Sequence, residues 1–354
     1  MNDEVLIQYK RYRARNKRFI IFILLLLVLI GGIALLAGSH WIGGKEILAL
    51  LRGDGTALEY QILLNIRLPR VLAAVITGII LSASGALMQI LLRNPLASPY
   101  TLGISNAAAF GASFGIVFLG AGSSIARSSD LFMITNPYIV TVAAFLGSLL
   151  GLAIILMIVK VKQASVETII LSGVIINSLF GAGIAVMQYV ADNVQLASIV
   201  FWTFGDLGRG DWYKLFFMLI VLIPALFYFS IKRWDYKVLC SGDDYAKSMG
   251  VNPQQTRILG LVITSLCTAV AVSFFGVIAF VGLVVPHIVR KCIGDNEEFL
   301  ITGSAVFGGM FLLLCDTVAR TIISPVILPV GILTSFLGVP LFLFLITRRK
   351  VRCE

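Results

Sequence analysis

The chain has 354 residues, 58% of them hydrophobic and only 13% charged, against about 25% charged in an ordinary soluble domain. That balance excludes a water-soluble globular enzyme. The formal charge of +10 needs no nucleic-acid partner if the basic residues gather on one side of a bilayer.

Residues 1–18 form a basic segment carrying Lys10, Arg11, Arg13, Arg15, Lys17 and Arg18, which is placed on the cytoplasmic side. Phe19–Ala37 follows with no charge. A helix of about 20 apolar residues matches the hydrocarbon thickness of a bilayer. Because the apolar runs are continuous and not alternating, they read as helices and not as barrel strands. The first run is longer than the roughly 7–15 apolar residues of a secretory signal, so it reads as a retained span.

Further runs predict spans at Val71–Leu92, Tyr100–Gly120, Pro137–Val159, Thr168–Val190, Trp212–Ile231, Arg257–Phe274, Gly276–Val289, Phe299–Ala319 and Gly331–Ile346. Gly276–Val289 is short, so it is a half-span or is covered by its neighbours. The fold class is an all-α polytopic membrane protein of about ten transmembrane helices, forming one domain over 1–354. With the N-terminus inside, 20 of the 28 basic residues fall on the inner side, and the tail TRRKVR places the C-terminus there too. Gly111–Gly115 and Gly147–Gly151 have the spacing of close helix contacts, read here as packing within one subunit.

The chemistry is sparse. Paired catalytic carboxylates, a nucleophile elbow and HExxH do not occur, which sets an intramembrane enzyme aside. The segment SHWIGGKE from Ser39 lacks the first glycine of a phosphate loop and has Glu46 where Ser or Thr would reach magnesium, so the chain is not expected to hydrolyse ATP. Five cysteines (Cys240, Cys267, Cys292, Cys315, Cys353) are scattered, and His40 and His287 lie far apart. No disulfide framework or metal site is therefore expected, and no cofactor of the chain's own. Asp316 precedes Arg320 by four residues, the spacing of an intrahelical ion pair, with a proton relay as the alternative. A secondary carrier would need more mid-membrane charge than this.

Two loops stand out. The inner loop 232–256 carries a short helix that Asp243 can cap and Gly250 can end, with Pro253 beyond. It is a rigid peg for another protein or a solvated connector. On the outer side RLPR places Arg67 and Arg70 at the start of the second span, with Pro69 fixing the helix start. With Arg320, these are interfacial snorkellers or a cluster that receives carboxylates from an outside partner.

The motifs RLPRVLAAVITG, SGALMQILLRNPLASPYTLGISNAAAFGA, LSGVIINS, AKSMGV, GVIAFVGLVVPHIVR, DTVAR and LPVGILTSFLGVPLFLFLI occur in that order along nearly the whole chain. Together they resemble the permease subunits of ATP-binding-cassette importers for iron–siderophores, haem and cobalamin. The resemblance implies a ten-helix subunit in a bacterial cytoplasmic membrane, paired with an identical or homologous permease. Two cytoplasmic ATPase subunits would carry ATP and magnesium, and an extracytoplasmic binding protein would deliver the solute. It implies docking of that protein by Arg67, Arg70 and Arg320. Contact with the ATPase falls to Asp243, Asp244, Tyr245, Ala246, Lys247, Ser248, Met249 and Gly250, where Met249 replaces the commoner leucine. The same resemblance places a path along the fifth span, with Val166 and Glu167 at the gate, Ser172, Asn177 and Ser178 beyond, and Thr334 and Ser335 on the tenth. Hydrogen bonding between helices is the plainer reading of those five polar residues. The expected activity is ATP-driven uptake of an iron–siderophore by alternating access, with haem or cobalamin as alternatives.

Overall fold

The computed structural model describes residues 3–37, 60–121, 136–161, 165–294, 297–323 and 326–347. The segment SHWIGGKE, Cys353 and the basic tail beyond Thr347 lie outside them. Every regular element among the described residues is helical. In chain order these are α1 (Asp3–Leu36), a π-helical turn (Ile62–Arg67) running into α2 (Leu68–Leu91), α3 (Ile104–Phe118), α4 (Pro137–Val161), α5 (Val166–Val190) and α6 (Asn193–Thr203). There follow α7 (Trp212–Ile231), α8 (Arg233–Cys240), α9 (Asp243–Ser248), α10 (Pro253–Phe275), α11 (Val281–Ile293), α12 (Glu297–Thr321) and α13 (Val330–Thr347). Among the described residues, seven helices are long and apolar enough to cross a bilayer, and Ile104–Phe118 and Val330–Phe344 are shorter apolar helices.

Several predicted boundaries move: α1 begins at Asp3 and not Phe19, α3 at Ile104 and not Tyr100, and α10 at Pro253 and not Arg257, and two further shifts have a local cause. The stretch Gly276–Val289 is not one helix: Gly276–Phe280 is non-helical and α11 begins at Val281. Gly276 adopts φ +78° with its Cα against the carbonyl of Trp202, a position where a side chain would collide with that oxygen. The helix must therefore end there. The second span starts earlier than Val71. Pro69 has no N–H to offer the preceding turn, and the turn widens so that the Leu68 N–H bonds the carbonyl of Leu63, five residues back.

Helices α6 and α8 were not predicted as elements. Asp192 and Gln195 form a reciprocal capping box at the start of α6. In α8, Tyr236 and Leu239 are buried beneath an otherwise exposed turn.

Lipid offers no hydrophobic drive for helix association, so close backbone contact must supply it. Helix α2 is the hub, buried on nearly every side. It packs against α12 where Gly78 meets Gly308 and Gly309, and against α11 where Gly85 meets Gly282. A methyl group at Gly78 would overlap the Gly308 carbonyl, and one at Gly85 the Gly282 carbonyl. The Gly111 and Gly147 pair joins α3 to α4 within the subunit, as expected from the spacing. Helix α1 is peripheral, with Leu25, Val28 and Leu29 exposed at 64%, 68% and 61%. Its basic start is tied to the end of α11 by the Tyr12 hydroxyl, which donates to the Ile293 carbonyl at 2.7 Å. This end also carries Arg93, Arg257 and Arg290 and is the basic end of the bundle.

Candidate functional site

At the end opposite the basic one, the last turn of α1, the start of α2 and the end of α12 converge. They bring Arg67, Arg70 and Arg320 together around Asp316, whose side chain is fully buried. Arg70 donates through Nε (3.0 Å) and Nη2 (2.8 Å) to Asp316 Oδ1. Arg320 Nε lies 3.1 Å from Oδ2, the expected i, i+4 pair. The carbonyls that α1 leaves unpaired at its C-terminus accept the remaining donors: Arg67 Nη1 bonds Leu35 at 2.7 Å, and Arg320 Nη2 bonds Ala34 at 3.1 Å. A helix C-terminus is partially negative and suits such cations.

The snorkelling alternative is thereby corrected. These guanidinium groups turn inward, where a fully buried carboxylate needs partners, and do not reach along the interface. Arg70 and Arg320 share one carboxylate, and Arg67 bonds the end of α1 beside them. Arg70 Nη2 also stands 4.0 Å from Asp206, a half-exposed carboxylate on the turn after α6.

At the basic end, α9 sits between Gly242 (φ +122°) and Gly250 (φ +80°). The Gly250 N–H bonds Lys247 O and the Val251 N–H bonds Ala246 O, the double closure that a left-handed residue permits. Gly250 therefore ends the helix as predicted, and Pro253 opens α10. Asp243 does not cap α9. Gly242 holds the cap position, and the Asp243 carboxylate faces away into a pair of arginines. Arg257 Nη1 and Nη2 each donate to it at 2.6 Å, and Arg93 Nη2 at 2.5 Å. A two-point guanidinium bond outweighs a single backbone N–H. The Arg257 hydrogen bond holds the Asp243 carboxyl below the usual aspartate range.

Ala246 is fully buried beneath α9, while Tyr245 (50%) and Met249 (58%) point outward. Asp244 and Lys247 form an exposed ion pair, and Ser248 bonds back to the Tyr245 carbonyl. A cavity of about 870 Å³ runs beside α9 to the start of α5, lined by Val166, Glu167, Asp243, Lys247, Gly250 and Arg257 among others. The gate residues thus share one cavity with Asp243, Lys247 and Gly250 of the peg.

The polar residues assigned to the path are spread out. Ser172 is buried and donates to the Thr168 carbonyl at 2.6 Å. Asn177 links α5 to the segment before α3, donating to Thr101 O and accepting from Asn106, each at 2.9 Å. Ser178 is exposed. Thr334 is buried, and Ser335 lines a second cavity of about 320 Å³ with Tyr100, Phe204 and Val277.

Comparison with known proteins fits this architecture. The FecCD transport family matches residues 23–348. The chain belongs to the FecCD family. A Methanocaldococcus jannaschii protein that carries an ABC transporter permease name is 49% identical over 98% of each chain. The hemin transport system permease of Yersinia pestis is 39% identical, covering 82% of this chain and 84% of its own. A solved inward-facing structure described as a metal-chelate type ABC transporter superposes with a TM-score of 0.82 at 28% identity, covering 94% of this chain and 99% of that one. As a FecCD member this chain is a membrane-embedded permease subunit of an ABC importer.

Proposed function

We propose that this FecCD permease pairs with a second copy or a close relative to carry an iron–siderophore complex inward across a bacterial cytoplasmic membrane. Two partner ATPases, holding ATP and magnesium, drive it, and an extracytoplasmic binding protein delivers the cargo. The observation that carries the reading is α9: a short helix with both ends fixed, presenting Tyr245 and Met249 outward at the basic end. An exposed apolar pair on a fixed helix suits insertion into a groove on another protein. The basic end is then cytoplasmic, with both termini on that side.

Val166 and Glu167 stand at the inner mouth in this reading, and Ser178 and Ser335 face the path between subunits. Arg67, Arg70 and Arg320 bring three guanidinium groups to the opposite end, two of them paired with Asp316. Carboxylates on a delivering protein would be drawn there. An iron chelate is favoured as cargo because the hemin permease and the metal-chelate type transporter are among the similar proteins. The hemin relative also supports haem as a second reading.

The test is reconstitution of the permease with its ATPases and binding protein in proteoliposomes. Accumulation of radio-iron from a ferric siderophore on ATP supports the proposal. ATP-dependent uptake of haemin alone moves the assignment to haem, and no uptake of either refutes it.

A further inference from the structure

The cavity at the basic end contains a charged joint that helix packing does not require. We propose that Arg257, Asp243 and Arg93 form the link that makes α9 move as one body with α2 and α10, so that displacement of α9 by an ATPase reaches the path. The inference rests on the permease reading above and assigns the transmission to particular residues.

Three observations carry it. Arg257, with only 4% of its side chain exposed, is rooted in α10 and grips Asp243 through both terminal nitrogens. Its remaining donor, Nε, bonds the carbonyl of Leu91 at 3.0 Å, the last residue of α2. One guanidinium group therefore touches three helices at once. A planar fork meets both carboxylate oxygens and the carbonyl in one fixed geometry, whereas an ammonium group meets them only as a point charge.

Arg93 supplies the third observation. The turn that ends α2 closes with the Arg93 N–H on Ile90 O and the Asn94 N–H on Gln89 O. This is the closure seen again at Gly250, and it needs a left-handed residue, usually glycine. Here the residue is an arginine at φ +43°. A side chain held in an unfavourable backbone conformation points to a use for that side chain, and this one reaches Asp243. The same carboxylate is thus held from the end of α2 and from the start of α10. Glu167, at the start of α5, lines the same cavity, so a shift of the joint changes the charge facing the inner mouth.

The experiment uses the complete importer with the substitutions Arg257→Gln and Arg93→Gln. Solute imported per ATP hydrolysed is measured with a radio-labelled ferric siderophore, with haemin in parallel. We expect that ratio to fall tenfold or more for Arg257→Gln and by a smaller factor for the half-exposed Arg93, with the ATPase still co-purifying in full. Arg257→Lys should restore little, since it loses the fork.

An unchanged ratio with the ATPase bound overturns the joint and leaves the permease reading intact. Loss of the ATPase from the complex also overturns it, because the cluster would then be part of the docking surface. A readout independent of cargo is the distance between spin labels at Ser248→Cys and Asn94→Cys. It should stay fixed on nucleotide addition in the otherwise unsubstituted chain and change in Arg257→Gln or, where that variant fails to fold, in Arg93→Gln. A distance that shifts equally with and without the substitution refutes the link.

Discussion

A carboxylate with no exposure survives in an apolar bundle only if its oxygens are taken up. Asp316 meets this condition through Arg70 on one oxygen and Arg320 on the other. Asp316→Asn leaves two buried guanidinium groups facing a neutral amide, and breaking a buried pair in this way costs about 3–5 kcal/mol. The expected result is a marked loss of thermal stability in detergent, read by tryptophan fluorescence, with Asp316→Glu recovering part of it. Asp243 obeys a different balance because it is only partly buried. Its folded-state pKa is depressed by Arg257, so the pair contributes in full above the ordinary aspartate range. The contribution is lost only as pH falls through the depressed value. The stability gap between the parent and Asp243→Asn should therefore be flat near neutrality and close only in strong acid. Arg93→Gly separates strain from use. Relieving a left-handed arginine is worth about 1 kcal/mol. The melting temperature should accordingly hold or rise slightly, while solute moved per ATP falls.

Helices in this fold are held by what is missing from their surfaces. Gly78, Gly85, Gly282 and Gly308 let α2 approach two neighbours backbone to backbone. Gly85→Val has no room and should abolish accumulation of folded protein in the membrane, since overpacking at a backbone contact cannot be relieved by a rotamer change. In contrast, Gly31→Val on the peripheral α1 meets open space and should leave expression unchanged. The long apolar runs were legible in the sequence because each had to span the bilayer by itself. The Gly111 and Gly147 contact was legible because its spacing recurs within each helix. The pairing of Gly78 with Gly308 was not, because it joins residues far apart in the chain with no local signature, and neither was the bond of Arg70 to Asp316 across 246 positions. Asp243 shows the limit from the other side. An aspartate before a short helix reads locally as a cap, yet a guanidinium fork brought in by α10 redirects it. Helix α6 escaped notice because its apolar content is broken by polar residues and its start is set by a capping box only 11 residues from its end.

For the molecule as a whole the question is where the work of accumulation comes from. A hundredfold concentration of solute requires about 2.8 kcal/mol per molecule moved. A chain acting alone would draw this from an ion gradient, which calls for a carboxylate or other group inside the membrane that is free to exchange its ion during the cycle. The carboxylate buried among the spans of the described residues, Asp316, has its oxygens engaged by Arg70 and by Arg320, which is itself tied to the end of α1. Using it as a carrier would require dismantling the contact that closes one end of the bundle. Glu167 is exposed at the mouth by the basic end and belongs to the peg cavity, not to mid-membrane. On the proposed function the bundle is a conduit whose movable part is reached from outside through α9. The purified permease in liposomes, with a proton or sodium gradient imposed and a ferric siderophore supplied, should only equilibrate the solute or exclude it. Accumulation should begin when the ATPases, the binding protein and ATP are added, and should persist when an ionophore collapses the gradient. Gradient-driven accumulation by the permease alone would contradict this account at its root, because no motion of α9 would then be needed.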